Sequence, residues 1–327
     1  MTGTLISISS YSWMGMWLGL EINLLSIIPL MGTSKNSMQA EAAMKYFITQ
    51  TLASMILLFS MIMMSLNMLF MMNDIILTSM YYSALFTKMG AAPFHFWFPE
   101  IIEGLSWMNS LIMLTWQKIA PLILITYPNF TSFKFMIMIM IMSTLISGIM
   151  GMNQTNLRKL LAYSSINHLG WMLSSMLFFE MIWLFYFLTY SIITANIILI
   201  LNSFNIFNMN QLFSSINKYP LIKFFFMLNF MSLGGLPPFL GFLPKWLTIQ
   251  MMIKMQLLSL SLIIIVMTLM TLFFYMRIIT LGIIMKSDIK LIDNNQQPYY
   301  KKFNYIYMFN FITLMMLLLS TIIFNFN

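Results

Sequence analysis

The sequence has no cysteine and only two histidines, His95 and His168. The first absence excludes disulfides, thiolate metal sites and cysteine-held iron–sulfur clusters. The second leaves too few imidazoles for a histidine metal cage. Charge is scarce as well. Asp, Glu, Lys and Arg make up 7% of 327 residues, against about 25% in soluble domains. So few charges cannot cover a water-facing surface. A cytosolic enzyme, a disordered tail and a nucleic-acid-binding domain are therefore excluded, despite a formal net charge of +8. The longest polar stretch runs only from Lys286 to Lys302, which leaves no room for a Rossmann or P-loop module.

What is present is apolar. The chain is 60% hydrophobic, with a mean hydropathy of +0.86. A bilayer-spanning helix needs about 20 such residues, so the length allows roughly ten to twelve spans. Methionine reaches 39 and phenylalanine 30, whereas Val266 is the only valine and Arg158 and Arg277 are the only arginines. A Met-rich core used as flexible filler would account for the methionines alone. The parallel excess of Ile, Asn and Lys points to AT-rich codons, a bias most extreme in animal mitochondrial genomes.

Apolar runs bounded by polar or Pro/Gly punctuation predict helices. They cover about 12–31, 40–66, 73–98, 106–126, 133–151, 157–179, 181–206, 219–252, 256–284 and 303–325. Residues 1–9 read as the tail of one more, truncated helix, and no basic segment precedes them as a signal peptide would require. The predicted fold class is an all-α polytopic membrane protein with about 11 transmembrane helices. Two segments repeat without a gap, GAAPFHFWFP at 90–99 and GLPPFLGFLP at 235–244. They share Gly90/Gly235, Pro93/Pro238, Phe94/Phe239 and Pro99/Pro244. Each falls in the fourth helix of a five-helix group, and an odd group size inverts the second group in the membrane. Paired Gly/Pro-interrupted segments in an inverted repeat point to a transport site. The expected organisation is one transmembrane domain over 1–327, with repeat one at about 1–126, repeat two at about 133–284 and a C-terminal helix at about 303–325.

Loop charge predicts the orientation. The loops after helices 2, 4, 6, 8 and 10 hold Lys35, Arg158, Lys159, Lys218, Lys223, Lys286, Lys290, Lys301 and Lys302. The opposite side holds Lys134 and Lys254. The positive-inside rule places the first set inside, which in a mitochondrion is the matrix, and leaves the C-terminus outside.

Four charged residues fall near the middle of their spans: Glu21, Lys88, Lys118 and Lys245. Each such charge costs about 2.5–3.5 kcal/mol on insertion scales, so it faces the protein interior and marks an ion or proton pathway. Burial disfavours the charged form of a lysine, and a nearby carboxylate restores it. Moving a carboxylate partner can thus switch a buried lysine between two protonation states. Glu21 and Lys88 are the expected ion pair, since an unpaired buried charge is expensive. Lys88 precedes the first Pro break and Lys245 follows Pro244. Broken helices expose backbone groups tolerated only against protein or water. His168 shares a polar helical stripe with Ser164, Asn167 and Trp171 at i, i+3, i+4, i+7 spacing. It titrates near neutral pH and could link the other sites along one mid-membrane track. His95 lies just past the first break. Lys45 reads as snorkelling, Glu100 and Glu103 as solvated loop carboxylates, and Trp13, Trp17 and Trp246 as packing or interface residues.

The blocks WLGLEINLL, EAAMKYFITQ, KMGAAPFHFWFPE, TWQKIAPL, AYSSINHLGW and GGLPPFLGFLPKW occur in that order along the chain. Together they resemble the subunit 2 family of mitochondrial NADH:ubiquinone oxidoreductase, respiratory complex I, with a composition like that of its insect branch. KMGAAPFHFW alone would indicate only the wider antiporter-like family. The likeness covers essentially the whole chain. It implies a membrane-arm subunit of the mitochondrial inner membrane, with Glu21, Lys88, Lys118 and Lys245 carrying proton translocation. It implies no cofactor in this chain, with NADH, FMN, Fe–S clusters and ubiquinone handled by other subunits. Expected partners are the other membrane-arm subunits and membrane lipids such as cardiolipin, with no nucleic acid. Members of the family begin some residues earlier, in keeping with a truncated first helix. Three functions fit the residues: a proton-pump module in a redox complex, a stand-alone cation/proton antiporter, and a non-transporting scaffold. Buried lysines offer no acceptor to a metal ion, which favours proton relay over cation binding.

Overall fold

A computed structural model describes residues 1–32, 37–70, 74–128, 132–217, 219–284, 308–311 and 313. Fourteen helices are found among them, and no strand; a lone antiparallel bridge joins Asn156 and Asn208. In a membrane every backbone polar group must be satisfied internally, and a helix does this without a partner. The chain forms two compact units, Met1–Ile146 and Ser147–Asn327.

The first unit contains α1 (Thr2–Ser9), α2 (Trp13–Met31), α3 (Ser37–Phe70), α4 (Asp74–Met89), α5 (Trp97–Gly104), α6 (Trp107–Leu114) and α7 (Trp116–Thr126). Helix α8 (Phe133–Met152) carries the chain into the second unit. There follow α9 (Leu157–Met176), α10 (Glu180–Phe204), α11 (Met209–Ile216), α12 (Pro220–Gly234), α13 (Phe242–Lys254) and α14 (Leu258–Ile284). Six helical stretches among the described residues are long and apolar enough to cross a membrane, including Trp13–Met31, Ser37–Leu66 and Leu258–Ile283. Their outward faces carry exposed Leu, Ile, Met and Phe, as on Leu52, Met55, Leu262 and Phe273. Such faces suit lipid rather than water.

Both expected breaks are present, and both use the same turn. At the end of α4, Gly90 N–H donates to Thr87 O and Ala91 N–H to Phe86 O. At the end of α12, Gly235 N–H donates to Ser232 O and Leu236 N–H to Met231 O. These paired bonds are a Schellman motif, which needs a left-handed residue after the helix. Gly90 and Gly235 supply it, at φ 73° and 77°.

Elsewhere the structure departs from the periodicity. The expected helix 106–126 is interrupted at Thr115, whose hydroxyl bonds back to Leu111 O at 2.8 Å. A threonine that bonds its own preceding turn competes with the helix ladder. Helix α11 was not expected. Its signal is the capping box of Asn208 and Gln211, two uncharged residues in an otherwise featureless loop. Helix α9 is not striped with one polar face. From Leu160 to Met176 every residue is buried, so the helix meets protein on all sides. It can therefore hold Ser164, Asn167 and His168 without presenting them to lipid. The expected stretch 286–302 lies outside the described residues, as does the C-terminal helix 303–325 apart from 308–311 and 313.

Gly90→Ala should destabilise the protein by about 1–2 kcal/mol, the penalty for an L-residue in the left-handed region. The new methyl would also sit 3.0 Å from Phe98 Cβ. A lowered thermal midpoint of the purified protein is the measurement, and an unchanged midpoint would contradict the turn assignment.

Candidate functional site

In the first unit the predicted lysines converge. Lys88 sits one residue before the end of α4, and Lys118 lies in the first turn of α7. They are 9% and 1% exposed. Both line one cavity of about 20 Å³. A water needs roughly 10–15 Å³ measured in that way, so the cavity has room for at least one. Its polar lining comes from Asn23 on α2, Tyr46 and Gln50 on α3, and Gln117 on α7. The Lys118 ammonium also faces the Phe98 ring, 5.3 Å from its centroid. The negative ring face stabilises a cation without offering it a proton acceptor.

The carbonyls at the end of α4 are capped by side chains. Gln50 Nε2 donates to Lys88 O at 3.4 Å, and Trp97 Nε1 donates to Thr87 O at 3.0 Å. Gln50 thus links the helix break to the cavity. Sequence reading missed it, because an uncharged amide inside an apolar run carries little signal. The same holds for Gln117, beside Lys118.

Glu21 lies half-buried on α2, next to the cavity-lining Leu20 and Asn23. Glu21 and Lys88, the expected ion pair, are not in direct salt-bridge contact. Glu21 Oε2 is buried without a hydrogen-bond partner.

Lys45 does not merely snorkel, nor is Glu100 merely solvated. Lys45 Nζ lies 2.9 Å from both Glu41 Oε1 and Glu100 Oε2, all three side chains being exposed. The bridge ties α3 to α5, the second half of the broken helix. His95 is buried, with Nδ1 3.3 Å from Pro93 O and its ring against Phe96. Trp17 packs inward and donates to Ser54 O.

In the second unit, Lys245 and His168 are 7% and 4% exposed. Lys245 stands in the first turn of α13, across the break from α12. Its Nζ donates to Leu233 O at 3.3 Å and to Gly234 O at 2.9 Å. The ammonium therefore caps the negative end of α12, a favourable place for a cation. It also approaches the Trp171 ring, 5.9 Å from the centroid. Trp171 lies one turn beyond His168 on α9, which brings the lysine and the imidazole into one neighbourhood. His168 Nδ1 is 2.8 Å from the Tyr186 hydroxyl, and the ring packs on Tyr190 at 5.0 Å between centroids. The rest of the predicted polar stripe is spent on structure. Ser164 bonds Leu161 O, and Asn167 Nδ2 bonds Thr271 Oγ1 on α14.

The described residues contain no group of three or more His, Asp or Glu placed to hold a metal ion. What they do contain is two buried clusters of proton-exchanging groups, one in each unit.

Gln50→Leu keeps the side-chain volume but removes the donor to Lys88 O. One lost hydrogen bond costs about 1 kcal/mol, so exchange of the Gly90 and Ala91 amides should speed up roughly fivefold. Hydrogen–deuterium exchange measures this, and unchanged protection would show that the amide does not support the break.

The chain was compared with known proteins. Residues 10–271 match the transmembrane family described as NADH:quinone oxidoreductase/Mrp antiporter. NADH-ubiquinone oxidoreductase chain 2 of Anopheles gambiae is 54% identical over 84% of this chain and 81% of its own length. The Aedes aegypti protein of the same name is 49% identical over 99% and 95%. Among solved structures, a chain of respiratory complex I from Thermus thermophilus superposes with a TM-score of 0.81. It covers 98% of this chain and 76% of its own, at 22% identity. A chain of the Mrp complex from Dietzia sp. gives a TM-score of 0.71 at 19% identity, over 86% and 58%. With buried lysines beside two helix breaks and this degree of likeness, the chain belongs to the NADH:quinone oxidoreductase/Mrp antiporter membrane family, on the branch of the NADH-ubiquinone oxidoreductase chain 2 proteins.

Proposed function

We propose that this chain moves protons across the membrane through its buried side chains. Lys88 and Lys118, with Glu21 beside them, form the relay of the first unit. His168 and Lys245 form that of the second. The chain is a membrane-arm subunit of respiratory complex I in the mitochondrial inner membrane. Electron transfer from NADH to ubiquinone, with its FMN and Fe–S clusters, belongs to other subunits, and this chain binds none of those groups. Its partners are the neighbouring membrane-arm subunits and lipids, cardiolipin among them. The Lys- and Arg-rich loops face the matrix, and the C-terminus faces the intermembrane space. Residues of about 1–126 and about 133–284 are two inverted five-helix repeats.

One observation supports the relay most directly: two buried lysines share a cavity that accepts water. A lysine ammonium has three donors and no acceptor, and water has both. A proton can leave the Lys88 ammonium for a cavity water as that water gives one of its own to a neutral Lys118. The N–H bond lost at one lysine is gained at the other. The half-buried Glu21 carboxylate biases which lysine holds the charge, since a nearby negative charge favours the charged form. In the second unit, Lys245 loses two carbonyl bonds when its ammonium moves away, so proton exchange there is coupled to the end of α12. A protonated lysine in this cavity offers no lone pair and repels a metal cation, which favours proton relay over cation antiport.

Lys118→Met and Lys245→Met remove the exchanging groups and insert a side chain that is cheap in this setting. Complex carrying either variant should assemble and reduce an artificial acceptor with NADH at the normal rate. In reconstituted vesicles it should lose this chain's share of proton uptake per electron. Unchanged uptake per electron in both variants would remove the relay and leave a scaffold.

A further inference from the structure

The hydroxyl of Tyr186 on α10 meets His168 Nδ1 of α9 at 2.8 Å. We propose that Tyr186 and His168 act as one proton-carrying pair, which makes Tyr186 a further proton-transfer residue of this chain. The inference rests on the relay reading above and extends it to a residue outside the charged set.

Tyr186 is 2% exposed. A buried hydroxyl must find a partner, and the choice of partner is informative. Tyr81 donates to Leu124 O and Tyr82 to Pro128 O. Those partners are backbone carbonyls, which anchor a ring but cannot pass a proton on. Tyr186 instead meets an imidazole nitrogen, a group that can both bind and release a proton. Both members of the pair can donate and accept.

Their environment holds them in register. His168 lies against the Tyr190 ring, with centroids 5.0 Å apart, and Tyr190 is one turn along α10 from Tyr186. The imidazole is thus flanked by two tyrosines of one helix, and only a small shift of α10 against α9 would lengthen the 2.8 Å bond.

The step balances without leaving a charge behind. The Tyr186 O–H bond breaks as Nδ1–H forms. A water on the other side of the hydroxyl gives the oxygen a replacement proton, so a new O–H forms there. The Nε2–H bond breaks as that proton passes to a second water, placed at Nε2, whose oxygen accepts it. One proton enters, one leaves, and both side chains end neutral. The reverse shift would carry the proton back, so the ring resets by turning away from Tyr186 and exchanging its Nδ1 proton for one on Nε2 through the same water.

Tyr186→Phe keeps the ring and removes the hydroxyl. Tyr186→Gln keeps a donor to Nδ1 but cannot exchange its proton in this way. The experiment uses assembled complex I in vesicles, with proton uptake per electron and NADH oxidation by an artificial acceptor followed together. Both Tyr186 variants should lose the same share of uptake per electron as His168→Gln, with acceptor reduction unchanged. The double variant Tyr186→Phe/His168→Gln should lose no more than His168→Gln alone. Normal uptake in Tyr186→Phe would overturn the proposal. So would normal uptake in Tyr186→Gln, which would make the hydroxyl a positioning group only. Failure of both variants to assemble, where His168→Gln assembles, would make it a structural tie and equally overturn it. Loss in His168→Gln with none in Tyr186→Phe leaves the relay standing without the tyrosine. No loss in His168→Gln, Lys118→Met or Lys245→Met removes the relay itself.

Discussion

A helix interrupted inside a membrane leaves carbonyl oxygens that no lipid can satisfy, and this constraint shapes the rest of the molecule. The Schellman bonds after α4 and α12 recover part of the loss. The remaining carbonyls draw polar side chains to each break. At the first they are Gln50 and Trp97, and at the second it is Lys245 itself. The polar groups that make proton movement conceivable are gathered where the backbone needs donors. Stability and chemistry thus make the same demand on the sequence at these two points.

The breaks share a turn but not a charge arrangement. Counting ten residues on from Gly90 gives Glu100, and ten from Gly235 gives Lys245. Glu100 is exposed and bridged to Lys45, whereas Lys245 is buried against the end of the preceding helix, α12. Lys88 of the first unit comes before its break, at the position where the second unit has Leu233. A repeated backbone device can therefore carry different electrostatics in each copy. The turn depends on a glycine at positive φ, while the charges depend only on where a donor or carboxylate is useful.

Helix α9 shows the same economy. Its serines, Asn167 and His168 would be costly against lipid, yet all are buried in protein. The small hydroxyls bond their own backbone three residues back, as Ser164 and Ser165 do. Asn167 ties α9 to α14, and His168 ties it to α10. Only the last of these bonds joins two groups that both exchange protons. The proposed Tyr186–His168 pair rests on that difference, while its neighbours hold the helices together.

Much of this was legible in the residues. Apolar runs of sufficient length specify helices wherever lipid is the solvent. A mid-span lysine announces an inward face by its cost alone. Gly90 and Gly235, each three residues before a proline, mark interruptions because no other residue takes the left-handed turn as cheaply. The Thr115 interruption, helix α11 and the Lys45–Glu100 bridge were not legible, since each depends on local hydrogen bonds or on groups 55 residues apart. Neutral Gln50, Gln117 and Tyr186 were invisible too, because an amide or a phenol in an apolar run costs too little to stand out. Only the packing of α3, α4 and α7 around one cavity, and of α10 against α9, decides what those neutral groups face. Sequence determined which charges had to be hidden. Tertiary structure decided which neutral groups they were hidden with.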